Sequence, residues 1–211
     1  RIKGVNCAMT LFFIVCFLLA IIMLVDVNYM IIWVDGTYGV GKTTIATMLK
    51  EKMGDEVELL LSDYYYNATI KKIMAEAEVN HRFPCIGGTL PQNNMRFLRE
   101  FKELIEEKSA EKTLIIDMAL TMAECKVNLY DSLEKEGQSI KHFILTADEK
   151  TIKSRIANDT DRMKDLSLDW LKDNLSFLDK NFPTAIRIKT DYCNKDDIVE
   201  EMLKEIKIKE N

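Results

Sequence analysis

The chain has 211 residues, 47% of them apolar and 30% charged, and a formal net charge of −5. That size and apolar share support one sizeable core, while the acidic balance excludes the clustered basic face that a phosphate-backbone binder needs, so nucleic acid is not an expected partner. Cys7, Cys16, Cys85, Cys125 and Cys193 are scattered, without CxxC pairs or a histidine at ligand spacing, which excludes a zinc site or a disulfide frame and reads as reduced thiols.

The first 29 residues stand apart. Residues 7–25 form an apolar run whose only polar member is Thr10, long enough to span a bilayer, so membrane association through this stretch is one expectation. No small-x-small cleavage site follows in Asp26, Val27, Asn28 and Tyr29, which weakens a signal-peptide reading. With Arg1 and Lys3 ahead of it, an anchor would carry everything after Val25 out of the cytoplasm. From Met30 onward, short apolar runs at 30–34, 57–61, 113–116, 142–146 and 185–188 read as strands. Longer amphipathic runs at 43–53, 93–108, 124–135, 149–156, 168–178 and 195–206 read as helices, with Phe97, Phe101, Leu104 and Ile105 sharing one face of the second. Residues 64–88 show no clear period and are expected to be a variable insertion facing the substrate. The alternation predicts an α/β fold, a three-layer sandwich on a five-stranded parallel sheet.

The chemistry is concentrated after the first strand. Gly36-Thr37-Tyr38-Gly39-Val40-Gly41-Lys42-Thr43 fits GxxxxGK[ST] in full, follows an apolar strand and opens a helix, which is the context a P-loop requires. Glycines let backbone N–H groups wrap phosphates at a helix N-terminus, and the loop through Thr44 is expected to bind ATP in this way. Lys42 is expected to reach the β- and γ-phosphates and Thr43 to hold Mg²⁺. An ATP site contradicts the outward topology above. Met30 is therefore expected to be the native start, with residues 1–29 as upstream sequence and a membrane anchor as the alternative, and residues 30–211 as one P-loop domain in the cytoplasm.

Carboxylates for the reaction should leave the ends of neighbouring strands. Asp117, after Leu114-Ile115-Ile116, is a candidate Mg²⁺ partner, and Asp63, after Leu59-Leu60-Leu61-Ser62, a candidate to orient or deprotonate an acceptor hydroxyl. Arg155 and Arg162 flank a polar break and are candidates for a lid that neutralises the transferred phosphoryl group. Asn194-Lys195-Asp196-Asp197 matches the NKxD guanine motif but follows the last strand, with no DxxG before it, and is better read as a helix start with first-turn acids. His81 and His142 read as structural.

The stretch from Met30 through Thr43 resembles the opening of bacterial tunicamycin-resistance ATP-binding proteins, and the similarity continues weakly through Gly137 to Arg155 and at Thr190-Asp191. The resemblance implies a nucleoside/shikimate kinase-like P-loop NTPase. It would act as a phosphotransferase on a small molecule such as a nucleoside-like antibiotic, or as a non-catalytic ATP-dependent binder of it, with a homodimer as an open alternative. That family has a proline where this chain has Asp117, so the Mg²⁺ role of Asp117 does not come from the resemblance. Asp35-Gly36 ahead of Tyr38 also resembles the loop of deoxynucleoside kinases, but Met118 and Ala119 stand where those enzymes carry Asp/Glu-Arg-His/Ser, which ranks them second.

Overall fold

A computed structural model describes residues 29–158, 170–191 and 193–207. Five strands, β1 (Ile31–Gly36), β2 (Val57–Leu61), β3 (Thr113–Asp117), β4 (Ile140–Thr146) and β5 (Ile186–Lys189), form one sheet in the order β2-β3-β1-β4-β5, every neighbouring pair parallel. β1 lies at the centre and all six of its residues are buried, as expected for a strand covered on both faces. Because side chains alternate across a strand, Ile31 and Trp33 enter one apolar core, with Leu60, Leu114 and Ile116, while Ile32 and Val34 enter the other, with Ile115, Phe143 and Leu145.

Helices close both cores. α1 (Lys42–Met53) contributes Ile45, Ala46 and Leu49 to the second core, where α7 (Lys195–Lys207) adds Ile198, Val199 and Met202. The first core is covered by α3 (Met95–Ser109), whose Phe97, Leu98, Phe101 and Ile105 are buried, and by Leu129 and Leu133 of α4. α4 runs through Ala123–Cys125, a π turn at Lys126–Tyr130 and Asp131–Lys135. Each fully buried side chain of this size stabilises the fold by about 1.5–3 kcal/mol relative to exposure. α5 (Glu149–Asn158) and α6 (Leu171–Asn181) follow β4. The expected elements are all present within three residues at their ends, apart from 168 and 169, which lie outside the described residues, as does the 7–25 stretch. Among the described residues no helix is long and apolar enough to cross a membrane.

The stretch 64–88 departs from expectation. It is mostly α2 (Ser62–Val79), an 18-residue helix that starts directly at the end of β2. Only Ser62, Thr69 and Ile73 of it are buried, so it has no apolar stripe for a period to reveal. Packing and charge hold it instead. Tyr65 and Tyr66 lie 5.6 Å from Phe101 and Phe97, and Arg96 of α3 bonds Glu76 at 2.7 Å.

Candidate functional site

The site lies where the loops leave the C-terminal ends of the strands, the usual ligand edge of a parallel sheet. The turn from β1 to α1 is built from glycines for steric reasons. Gly36 has φ +139°, and a Cβ there would sit 2.6 Å from the Leu145 carbonyl oxygen of the adjacent strand. Gly39 has φ +76°, and a Cβ would come within 3.0 Å of Ile156, because α5 packs against the loop. Within the loop, Lys42 Nζ donates to the Thr37 carbonyl at 3.1 Å. Thr43 Oγ1 donates to Asp117 Oδ2 at 2.6 Å, joining the first turn of α1 to the end of β3.

These groups open into a cavity of about 580 Å³. Lys42, Thr43 and Asp117 line it together with Asp63, an exposed residue in the first turn of α2. With Tyr38, which also lines it, the structure brings together five of the expected site residues. Thr43 and Asp117 put two hard oxygen donors side by side beside a phosphate-binding turn, a donor set that fits Mg²⁺, which is commonly held by one or two protein oxygens plus substrate phosphates. Among the described residues no group of three His, Cys, Asp or Glu forms an all-protein metal site.

Arg155 is placed differently from the lid expected of it. It lies on α5, and its guanidinium donates to the Val40 carbonyl of the loop at 3.0 Å, to Thr190 Oγ1 at 2.9 Å and to the Thr190 carbonyl at 2.7 Å. Thr190 Oγ1 also lies 3.2 Å from the Val40 carbonyl, so α5 and the end of β5 are fastened to the phosphate loop rather than swung over it. Arg162 lies outside the described residues. Asn194 to Asp197 sit at the start of α7, where Asn194 accepts from the Asp196 backbone N–H at 3.3 Å, a helix start as expected.

Several residues that shape the site carry no motif. Asp35, fully buried, accepts from the Gly36 N–H at 2.6 Å and the Leu120 N–H at 3.0 Å through Oδ1, and its Oδ2 lies 3.0 Å from His142 Nε2 on β4. Trp33 Nε1 donates to the Met118 carbonyl at 3.0 Å. β1 thereby fixes the turn after β3, which supplies Met118, Ala119, Thr121 and Met122 to the cavity. On the opposite approach, Asn94 caps α3 by accepting from the Phe97 N–H, and its amide donates to the carbonyls of Ile86 at 2.6 Å and Gly88 at 3.1 Å. It orders the segment that brings Thr89, Leu90 and Gln92 to the wall. An Asn directly ahead of an apolar periodic run was a readable cap signal. Its second task was not readable. Tyr38, Ser62, Trp170 and Asn174 complete the described lining.

A family model described as an AAA domain matches residues 31–177. No curated protein sequence matches the chain. Among solved structures, the tunicamycin resistance protein of Deinococcus radiodurans is similar at TM-score 0.66 and 21% identity, over 85% of this chain and 96% of that one. A sugar kinase from Janibacter sp. HTCC2649 follows at TM-score 0.58 and 20% identity, over 86% and 96%. The shikimate kinase of Bacteroides thetaiotaomicron is similar at TM-score 0.56 and 15% identity, over 84% and 98%. The architecture is a P-loop kinase-like fold.

Proposed function

Because the chain belongs to the AAA domain family, we propose that it binds ATP with Mg²⁺ and transfers the γ-phosphoryl group to a hydroxyl of a small molecule. The observation that carries this reading is the Thr43–Asp117 hydrogen bond inside a cavity that also contains Lys42 and Asp63. A nucleotide-binding turn alone would account for Lys42 and Thr43. A second carboxylate at the mouth of the same cavity is what an acceptor hydroxyl needs.

In this reading the backbone N–H groups of Gly36 to Thr44 and the Lys42 ammonium hold the phosphates, and α1 adds the partial positive charge of its N-terminus. Thr43 and Asp117 would hold Mg²⁺, which supplies neutralisation of the phosphate charge when bound. The acceptor oxygen forms a bond to the γ-phosphorus as the bond from that phosphorus to the β,γ-bridging oxygen breaks, and ADP leaves. The hydroxyl proton passes to the Asp63 carboxylate or, with Asp63 only orienting the hydroxyl, leaves by way of the transferred phosphoryl oxygens to water, since a loose transition state asks little of a base. Arg155 acts from outside the cavity, by fixing the loop at Val40.

A narrower form of the proposal makes the acceptor a nucleoside-like antibiotic and the protein a resistance factor. The Deinococcus radiodurans likeness and the loop sequence from Met30 to Thr43 motivate it. Incubation with γ-labelled ATP and a panel of sugars, nucleosides and nucleoside antibiotics tests both forms. Labelled product is expected from the parent and not from a folded Lys42→Ala variant, whose rate should fall by about 10²-fold or more. Equal transfer by the two proteins would refute the role of this loop.

A further inference from the structure

We infer that the phosphate acceptor is an uncharged hydroxyl compound bearing an apolar ring or chain, an inference that rests on the phosphotransferase reading and gives its substrate a chemical class. The cavity has one cation among its described lining residues, Lys42. Lys42 belongs to the loop and is engaged by the nucleotide phosphates in that reading. Asp117 is likewise taken up by Mg²⁺ in that reading, so the remaining wall carries one carboxylate, Asp63, and neutral polar groups from Ser62, Thr89, Gln92, Thr121 and Asn174. No Arg, second Lys or His among the described residues lines it. A carboxylate or phosphate on the acceptor would therefore give up water beside the like charge of Asp63, with no further cation among the described lining residues to pair with, which is unfavourable on both counts.

The rest of the wall is apolar. Leu90, Met118, Met122 and Trp170 share the cavity with the polar groups, and Trp170 stands 42% exposed among them. The exposed indole and the half-buried Met122 thioether gain contact from an apolar ring or chain, and the neutral amides and hydroxyls gain hydrogen bonds from a polyol. The two properties select together for an amphipathic, uncharged acceptor. Simple anionic sugar acids fit the charge pattern badly, and small bare polyols leave the indole and Met122 in water.

Three probes separate these properties: phenyl β-D-glucoside, phenyl β-D-glucuronide and methyl β-D-glucoside. Binding of Mg²⁺ and a non-hydrolysable ATP analogue is measured first. Its absence overturns the phosphotransferase reading and the acceptor class with it. With the analogue bound, each probe is titrated by calorimetry and by the fluorescence of Trp170, the exposed one of two tryptophans, Trp33 being fully buried. Phenyl glucoside should bind at least about tenfold more tightly than either of the others. Asp63→Asn should narrow the glucoside–glucuronide gap several-fold. A glucuronide that binds as well as the glucoside, a phenyl group that adds nothing, no binding by any probe, or a gap that Asp63→Asn leaves intact would each overturn the acceptor class while leaving nucleotide binding standing.

Discussion

Replacing Asp35 tests whether the phosphate loop and the acceptor-facing turn are held by one buried carboxylate. Asp35→Ala leaves the N–H groups of Gly36 and Leu120 and the His142 ring without their acceptor in a fully buried setting. An unpaired buried donor costs about 1–3 kcal/mol, and local relaxation keeps the loss from three of them below their sum, so a total of about 3–5 kcal/mol is expected, a large share of the 5–15 kcal/mol that holds a domain together. For a domain of this size that corresponds to a fall in Tm of about 6–20 °C. Asp35→Asn separates geometry from charge. Its oxygen can still accept from both N–H groups, and His142 can accept from the new amide by moving its proton to Nδ1. That nitrogen is buried without a partner, so the rearrangement should cost about 1–2 kcal/mol. Denaturant titration of parent, Asn and Ala variants reads all three stabilities. An Ala variant within 1 kcal/mol of the parent on that titration, or an Asn variant as unstable as the Ala one, would refute the reasoning.

The carboxylates should fail differently. Asp63→Asn is expected to slow phosphoryl transfer by about 10²-fold at unchanged ATP affinity if it takes the proton, whereas Asp117→Asn should weaken Mg²⁺-dependent nucleotide binding whatever the acceptor; parent rates in both would remove both assignments. Arg155→Ala should weaken ATP binding about tenfold through loss of the Val40 anchor, measured by calorimetry on a folded variant, and an unchanged affinity would confine Arg155 to a structural role. Burial pushes the Cys125 thiol up to about 12, so at mildly alkaline pH it remains protonated; a thiol reagent should label exposed Cys85 and Cys193 in the native protein and reach Cys125 only on unfolding. Mass mapping of the labelled sites checks this, and native labelling of Cys125 at the same rate would contradict its burial.

Legibility in the sequence tracked the kind of force involved. The strands were readable because a parallel sheet covered on both faces demands unbroken apolar runs, as in Ile31 to Val34 and Leu114 to Ile116. The phosphate loop was readable because steric demands at Gly36 and Gly39 leave little freedom of residue choice. α2 was missed because its stability comes from tyrosine contacts and the Arg96–Glu76 pair, which put no period into the sequence. The placement of Arg155 was missed because a cation seven residues from another cation looks the same whether it faces a ligand or a carbonyl such as that of Val40.

The acceptor wall was illegible for a further reason, which bears on how such a protein can change its substrate. Its residues arrive from four separate segments, 62–63, 89–92, 118–122 and 170–174, and none of these is set by the nucleotide chemistry. What positions them lies elsewhere: Asp35 and Trp33 hold the turn after β3, and Asn94 holds the segment before α3. Side chains such as Met122, Leu90 and Gln92 can therefore be exchanged without loosening the phosphate loop, because the bonds that fix their backbone do not pass through them. Acceptor specificity in this architecture is separable from nucleotide binding. A variant at Met122 should shift acceptor affinity and leave ATP affinity alone, whereas Asp35 couples both.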